Sequence, residues 1–414
     1  MKVLKIRQKI INKIFKRVFQ PKKIKNIHGP LFKKVIFNWK NALNKLLLLG
    51  GLSDGNKILL ITDGDEQFYL MRKSILEAKK SIWFEIYLYE PDKIGKYILD
   101  AMVKAAQRGC EVILLYDHFG SGKLSNSFLE PLLKAGATAL PFNPIWPWKK
   151  KGPFLTRDHR KILIIDNKIA FCGGVNISQD YAGKMLGNGR FRDTLAKIKG
   201  PCVYELSQFF WGSFSETTGE DRYNAKFIPK INKGEFIQVL GSNTRKNIRS
   251  IQSSMEVTLC QATKYCYLTS PYFLPYKQLQ KAMIAAAKRG VDIRILCAGL
   301  SDIPLMRNAS QHIYSKFIKY GIRVFEMFEK NLHAKTATID GVYSTIGSYN
   351  LDRWSDKRNL EINLSILDCK LATELEIHFF KDLKLSKEVT LQSLKAQSAI
   401  KRFINWCSYM IMKL

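Results

Sequence analysis

The chain has 414 residues, 46% hydrophobic and 25% charged, which excludes a chain disordered throughout, a collagen-like chain or a low-complexity repeat. Its length predicts two or three domains. Sixty-seven Lys and Arg against 35 Asp and Glu give a net charge of +32, which points to a polyanionic partner, either nucleic acid or an anionic membrane.

The charge is unevenly placed. Residues 1–53 hold 14 basic and no acidic residues, nearly half of the excess. Residues 2–19 fit a helix with Val3, Leu4, Ile10, Ile11, Ile14, Phe15 and Val18 on one side and Lys2, Lys5, Lys9, Lys13 and Lys16 opposite; Pro21 ends it. Residues 31–49 repeat the theme around Phe32, Val35, Trp39 and Leu43. Such a face suits a helix lying in an anionic interface; packing of the same face on a protein core is the alternative. Elsewhere the longest uncharged stretch, Ala135–Trp148, is too short and too proline-rich to span a bilayer. Eight scattered cysteines form no CxxC pair and read as reduced, mostly buried thiols of an intracellular protein, with no structural zinc.

Two stretches of the chain repeat one another. Ala105–Val112, with Arg108-Gly109, returns 181 residues later as Ala286–Ile293, with Arg289-Gly290; each reads as a helix end, a glycine cap and a buried strand. His159-Arg160-Lys161, four apolar residues and Asp166 return 174 residues later as His333-Ala334-Lys335, Thr336–Ile339 and Asp340. Each is followed by a small-residue turn ending in Asn: Gly173-Gly174-Val175-Asn176 and Gly347-Ser348-Tyr349-Asn350. The shared order indicates a duplicated domain. The first copy has seven more residues before its His, matching the apolar and basic loop Trp146–Lys151, a candidate for contact with lipid headgroups.

In a strand, His159 and Lys161 share a face, as do His333 and Lys335. The glycine turn brings Asn176 or Asn350 back beside its own pair. An imidazole, an ammonium and an amide suit a phosphate: Lys and Asn bind the oxygens, while His attacks phosphorus or moves a proton. Two copies supply the two histidines of a double displacement. A nucleophilic imidazole also needs its second nitrogen held by an acceptor. Asp193, 34 residues after His159, and Glu361, 28 after His333, are the candidates. The tail from Lys395 to Leu414 has a broad apolar side of Ile400, Phe403, Ile404, Trp406, Cys407, Met410 and Ile411. It suits a membrane surface and the protein core equally.

These motifs resemble the HKD motifs of the phospholipase D superfamily, over about Lys57–Lys384. Asp63-Gly64, Glu85-Ile86-Tyr87, Gly120-Ser121, Arg192-Asp193-Thr194, Gly200-Pro201, Pro271-Tyr272-Phe273 and Leu332–Lys335 resemble the bacterial cardiolipin synthase branch, of the type without N-terminal transmembrane helices. Gly174 stands where the superfamily usually has Ser.

The resemblance implies an α/β fold of two similar domains, each a mixed sheet flanked by helices. A pseudo-twofold axis relates them, and the active site lies between them. The expected division is a basic arm at 1–53, domains at 54–230 and 231–385, and a C-terminal amphipathic helix at 386–414.

It also implies a phosphatidyltransferase working without metal or cofactor. His159 is the nucleophile and His333 the acid and base, the order of the two being carried over from the resemblance. Lys161, Lys335, Asn176, Asn350 and Ser348 hold the phosphate, Asp193 and Glu361 orient the imidazoles, and Asp166 and Asp340 brace the site. The expected partners are an anionic phospholipid membrane and phosphatidylglycerol, with no nucleic acid. The expected location is peripheral, on the cytoplasmic face of the bacterial inner membrane. Phospholipase D hydrolysis, phosphatidylserine synthesis and nuclease action are the rival chemistries.

Overall fold

A computed structural model describes residues 2–20, 29–144, 156–222, 227–243 and 248–413. The Trp146–Lys151 loop lies outside them. The strands are β1 (Leu52–Ile61), β2 (Ser81–Ile86), β3 (Glu111–Asp117), β4 (Thr138–Phe142), β5 (Lys161–Ile165), β6 (Ile169–Gly173) and β7 (Leu195–Lys199) in the first half. The second half has β8 (Glu235–Asn243), β9 (Tyr265–Thr269), β10 (Asp292–Ala298), β11 (Arg323–Met327), β12 (Thr336–Ile339), β13 (Tyr343–Gly347), β14 (Asn359–Leu367) and β15 (Ser386–Val389).

The first sheet runs β1-β7-β6-β5-β2-β3-β4, and only β2-β3-β4 are parallel neighbours. The second runs β8-β14-β13-β12-β9-β10-β11, again with one parallel trio, and β15 adds an antiparallel edge. The two orders match strand for strand, as a duplication requires. The parallel trios need helical crossovers. Lys93–Gln107 supplies one, capped by Asp92 and burying Ile94, Ile98, Leu99 and Met102. It ends before Gly109, and its counterpart Lys277–Lys288 ends before Gly290, both glycines at φ +87°. A left-handed residue there costs glycine nothing, so the repeated Arg-Gly step is a helix stop.

Both sheets are covered on both faces, so β2, β5 and β14 are buried along their whole length. The halves pack face to face through Ile162, Ile164 and Ile198 of the first sheet against Ile346, Ile362 and Leu364 of the second. β1 also links them: Leu52 and Ser53 pair with β8, while Lys57–Ile61 pair with β7.

The arm packs on the second half of the protein. Helices Lys2–Arg17 and Gly29–Leu46 turn Ile11, Ile14, Val18, Val35, Trp39 and Leu43 into the core of the second half, among Phe236, Ile251 and Tyr343. Trp39 and Tyr343 ring centroids are 5.8 Å apart, and the Trp39 indole donates to the Asp340 carboxylate at 3.0 Å. The face expected at a membrane is thus occupied by the core. Lys5, Lys9, Lys13 and Lys16 opposite are exposed, and the same amphipathic pattern serves either environment. The tail also starts later than expected, since Ser386–Val389 is a strand of the second sheet. Six cysteines are buried as free thiols; Cys260 is exposed and Cys407 partly so. No helix of the described residues is long and apolar enough to cross a membrane.

Candidate active site

The site forms where each half reaches across to the other. Arg157-Asp158, just before His159, pair in parallel with Asn359-Leu360, just before Glu361. Asn331-Leu332, just before His333, pair in parallel with Phe191-Arg192, just before Asp193. The pairs continue one residue further: the His159 N–H donates to the Leu360 carbonyl at 3.0 Å, and that of His333 to the Arg192 carbonyl at 2.8 Å. Each histidine therefore lies beside the acid of the opposite half. His159 Nδ1 is 3.1 Å from Glu361 Oε2, and His333 Nδ1 is 2.7 Å from Asp193 Oδ2. The acid downstream in the same copy is not the partner in either case.

Nδ1 of each ring is thus turned to a carboxylate, and that of His333 also lies 2.8 Å from Lys335 Nζ, which leaves Nε2 to face a ligand. Among the described residues no hydrogen bond occupies that nitrogen. Aromatic rings set the imidazole planes. Tyr87 meets His159 edge-on at 4.7 Å, and Tyr181 and Phe191 meet His333 at 5.2 and 5.6 Å. Their contacts with the histidines were not foreseen from the sequence, because edge-on ring packing leaves no mark on spacing. Tyr87 was visible only as part of Glu85-Ile86-Tyr87, through the family resemblance.

Lys161 donates to the His159 carbonyl at 2.7 Å, and Lys335 to that of His333. Both lysines and both histidines are almost fully buried. Burial disfavours their charged forms. It pushes Lys161 down to about 7 and Lys335 to about 8, against the pull of Glu361 and Asp193. Burial likewise pushes His159 down to about 4, although Glu361 opposes it. His333 is lowered by burial and by Lys335, with Asp193 opposing. Burial raises the Glu361 carboxyl, but His159 and Lys161 outweigh it and hold the group below its ordinary value. A neutral imidazole on an ionised carboxylate is a competent nucleophile. A phosphodiester entering among these lysines favours their charged forms.

The amides fit a ligand. Asn350 makes no side-chain hydrogen bond among the described residues, and its Oδ1 is buried. Asn176 donates to Tyr181 at 2.8 Å and leaves its Oδ1 unpaired. Ser348 is placed differently from the expectation. Its hydroxyl donates to Glu361 Oε2 at 2.5 Å, so it holds the carboxylate instead of facing a phosphate. Ser355 and Asn359 donate to the other oxygen of Glu361, at 2.6 and 3.3 Å. Gly174, in the corresponding position of the first copy, lies against Asp193. A Cβ there would stand 2.3 Å from Asp193 Oδ1. The serine and the glycine thus fit carboxylates of different reach.

Asp166 and Asp340 are outside the reacting centre. Five-residue β5 separates Lys161 from Asp166, about 16 Å at 3.3 Å per residue. Asp166 accepts from the backbone N–H groups of Lys79, Lys80 and Ser81 at 2.6–3.1 Å. Asp340 accepts likewise from Thr263, Lys264 and Tyr265, at 2.7–3.1 Å. Each ties the turn entering a central strand to the far end of the motif strand, so its bracing is remote.

The family described as "Cardiolipin synthase, PLD-like domain" matches residues 71–208 and 255–383, one segment in each half. Cardiolipin synthase 1 of Bacillus cereus is 31% identical over 86% of this chain and 72% of that protein. Cardiolipin synthase of Staphylococcus aureus is 32% identical over 86% of this chain and 73% of that protein. Among solved structures, the phosphatidylserine synthase of Haemophilus influenzae Rd KW20 superposes with a TM-score of 0.68 at 14% identity. It covers 91% of this chain and 97% of that one. A polyphosphate kinase of Porphyromonas gingivalis superposes at 0.54, also at 14% identity, over 86% of this chain and 53% of that one. At such identities the two structures show a shared fold alone.

Proposed function

The chain belongs to the family of cardiolipin synthases with PLD-like domains, and from that premise we propose that it joins two phosphatidylglycerol molecules into cardiolipin and releases glycerol. The observation that carries the reading is the pair of buried histidines. Each has Nδ1 on a carboxylate of the other half and Nε2 free.

In the first step His159 Nε2 attacks the phosphorus of one phosphatidylglycerol. The N–P bond forms, the P–O bond to glycerol breaks, and His333, protonated at Nε2 before the step, gives that proton to the departing oxygen and is left as the base for the second step. Glu361 stabilises the positive charge that develops on His159. In the second step His333 takes a proton from a hydroxyl of a second phosphatidylglycerol, whose oxygen attacks phosphorus and displaces His159. Lys161, Lys335, Asn176 and Asn350 hold the nonbridging oxygens throughout. The assignment of His159 as nucleophile is supported by the fuller support of its carboxylate, with Ser348, Ser355 and Asn359 on Glu361.

The reaction takes place on an anionic phospholipid surface, which we assign to the cytoplasmic face of the bacterial inner membrane. The test is lipid mass spectrometry of phosphatidylglycerol vesicles incubated with the protein and with a His159→Ala control. Cardiolipin and free glycerol from the parent protein alone support the reading. Phosphatidic acid without cardiolipin replaces it with hydrolysis, and turnover by the control removes His159 from its role.

A further inference from the structure

The C-terminal helix Ala399–Lys413 is packed with its polar side inward. Asn405 and Ser408 are its buried residues. Asn405 reaches Gln397 and Gln311 at 3.1 and 3.4 Å, and Lys401 donates to Asn308 at 2.7 Å. The neighbour is helix Pro304–Ile318, whose His312 ring lies 4.8 Å from that of Tyr409, tilted by 33°. The large apolar residues face the other way. Ile400 is 73% exposed, Phe403 62% and Ile411 57%, and Ile404, Trp406 and Met410 are more than two-fifths exposed. At 100° per residue these six fill an arc of about 160°, opposite the buried side. Single exposed apolar residues are ordinary, but a continuous apolar stripe along a whole helix marks an interaction surface.

The charges around the stripe select the partner. From Val389 to Leu414 the chain has no acidic residue, while Lys395, Lys401, Arg402 and Lys413 are basic. Among the described residues none of these four pairs with a carboxylate. Lys401 lies on the inward side with Asn308, and an aromatic and aliphatic face with the unneutralised Lys395, Arg402 and Lys413 around it is complementary to the headgroup layer of an anionic bilayer. The position suits the site as well. Helix Pro304–Ile318 begins at the loop after β10, where Ile303 and Leu305 are exposed too. Asp302 of that loop accepts from Tyr272 at 2.7 Å and acts on both His333 and Lys335.

We propose that the outward apolar face of the C-terminal helix docks this protein on anionic phospholipid bilayers. The N-terminal arm, whose apolar face is spent on the core, does not. The proposal deepens the phosphatidyl-transfer reading by naming the surface that brings the site to its lipid.

The test compares the full chain with an Ile400→Ser, Phe403→Ser, Trp406→Ser variant. All three residues are exposed, so the thermal midpoint should be unchanged. Partition onto phosphatidylcholine vesicles containing phosphatidylglycerol should weaken by about a hundredfold, as expected for three large apolar side chains withdrawn from a partly buried position. Turnover of water-soluble short-chain phosphatidylglycerol should be unaffected. Equal partition of the two proteins overturns the proposal. So does a parent protein that is a dimer and a variant that is a monomer with the same partition, which would make the face a contact with a second copy. If neither protein turns over the short-chain lipid yet their partition differs, the docking surface stands and the proposed reaction falls.

Discussion

His159 Nδ1 lies 3.1 Å from Glu361, 202 residues further along the chain and in the other half of the duplication. His333 reciprocates with Asp193, 140 residues before it. Neither half contains a complete site, because each supplies an imidazole to the other's carboxylate. The crossing follows from the two short parallel pairings, Arg157-Asp158 with Asn359-Leu360 and Asn331-Leu332 with Phe191-Arg192.

Exchange of one carboxylate should therefore disable the histidine of the opposite half. Glu361→Gln should reduce turnover by about 10²–10³-fold, within the range of general acid–base contributions. It should also suppress the alkali-stable phosphoryl-histidine adduct on His159. Asp193→Asn should slow turnover comparably yet let that adduct accumulate from a donor with a good leaving group, since it acts through His333. Rapid alkaline quench with labelled phosphatidyl donor reads both. Accumulation in Glu361→Gln and loss in Asp193→Asn would reverse the assignment of the two histidines.

Gly174→Ser should damage the His333 side of the site. The new Cβ would lie 2.3 Å from Asp193 Oδ1, so the carboxylate must move away from its 2.7 Å contact with His333. Overpacking of this kind costs about 1–3 kcal/mol, and a similar loss of transition-state stabilisation means about a 10- to 100-fold fall in kcat. Ser348→Ala, which removes one of several donors to Glu361, should cost less. Steady-state rates of the two variants, at matched folded fraction, decide the order.

Activity should fall as pH rises through about 7 to 8. Lys161 is pushed down to about 7 and Lys335 to about 8, so each is charged below that value and neutral above it. Loss of charge weakens phosphate binding, and kcat/KM, which reports the free enzyme, should carry this alkaline limb. The acid limb should lie near pH 4, where His159 takes up a proton and ceases to be a nucleophile. A kcat/KM profile that stays flat from pH 6 to 9 would contradict the lysine assignment.

Asp340→Asn and Trp39→Phe should lower stability without altering the chemistry. The Asp340 carboxylate binds three backbone N–H groups and the Trp39 indole, far from the reacting atoms. Loss of one buried hydrogen-bond partner costs about 1–3 kcal/mol. Both variants should therefore unfold at lower denaturant concentration, with kcat per folded molecule near the parent value. A kcat lost at full folding would place Asp340 in the site after all. Removal of residues 1–50 should be worse than either, because it uncovers the core of the second half.

The sequence by itself determined the duplication and the type of chemistry. A repeat of His, Lys, Asp, Gly and Asn at one offset is a local pattern, and strand alternation puts His and Lys on one face without reference to the rest of the fold. Tertiary structure decided three things that spacing does not encode. Which carboxylate holds which imidazole depended on two-residue pairings between the halves, too short to show any periodicity. The family resemblance implies Ser348 as a phosphate ligand; only the approach of Glu361 from β14 engages its hydroxyl elsewhere. The amphipathic segments show the same limit. Periodicity reveals that a helix has two faces, and not which one the protein covers. In the arm, Trp39 and its neighbours found an apolar core. In the tail, Asn405 and Ser408 found polar partners on an adjacent helix and left the apolar face outside. The choice rests on what each helix meets, and that is a property of the assembled fold.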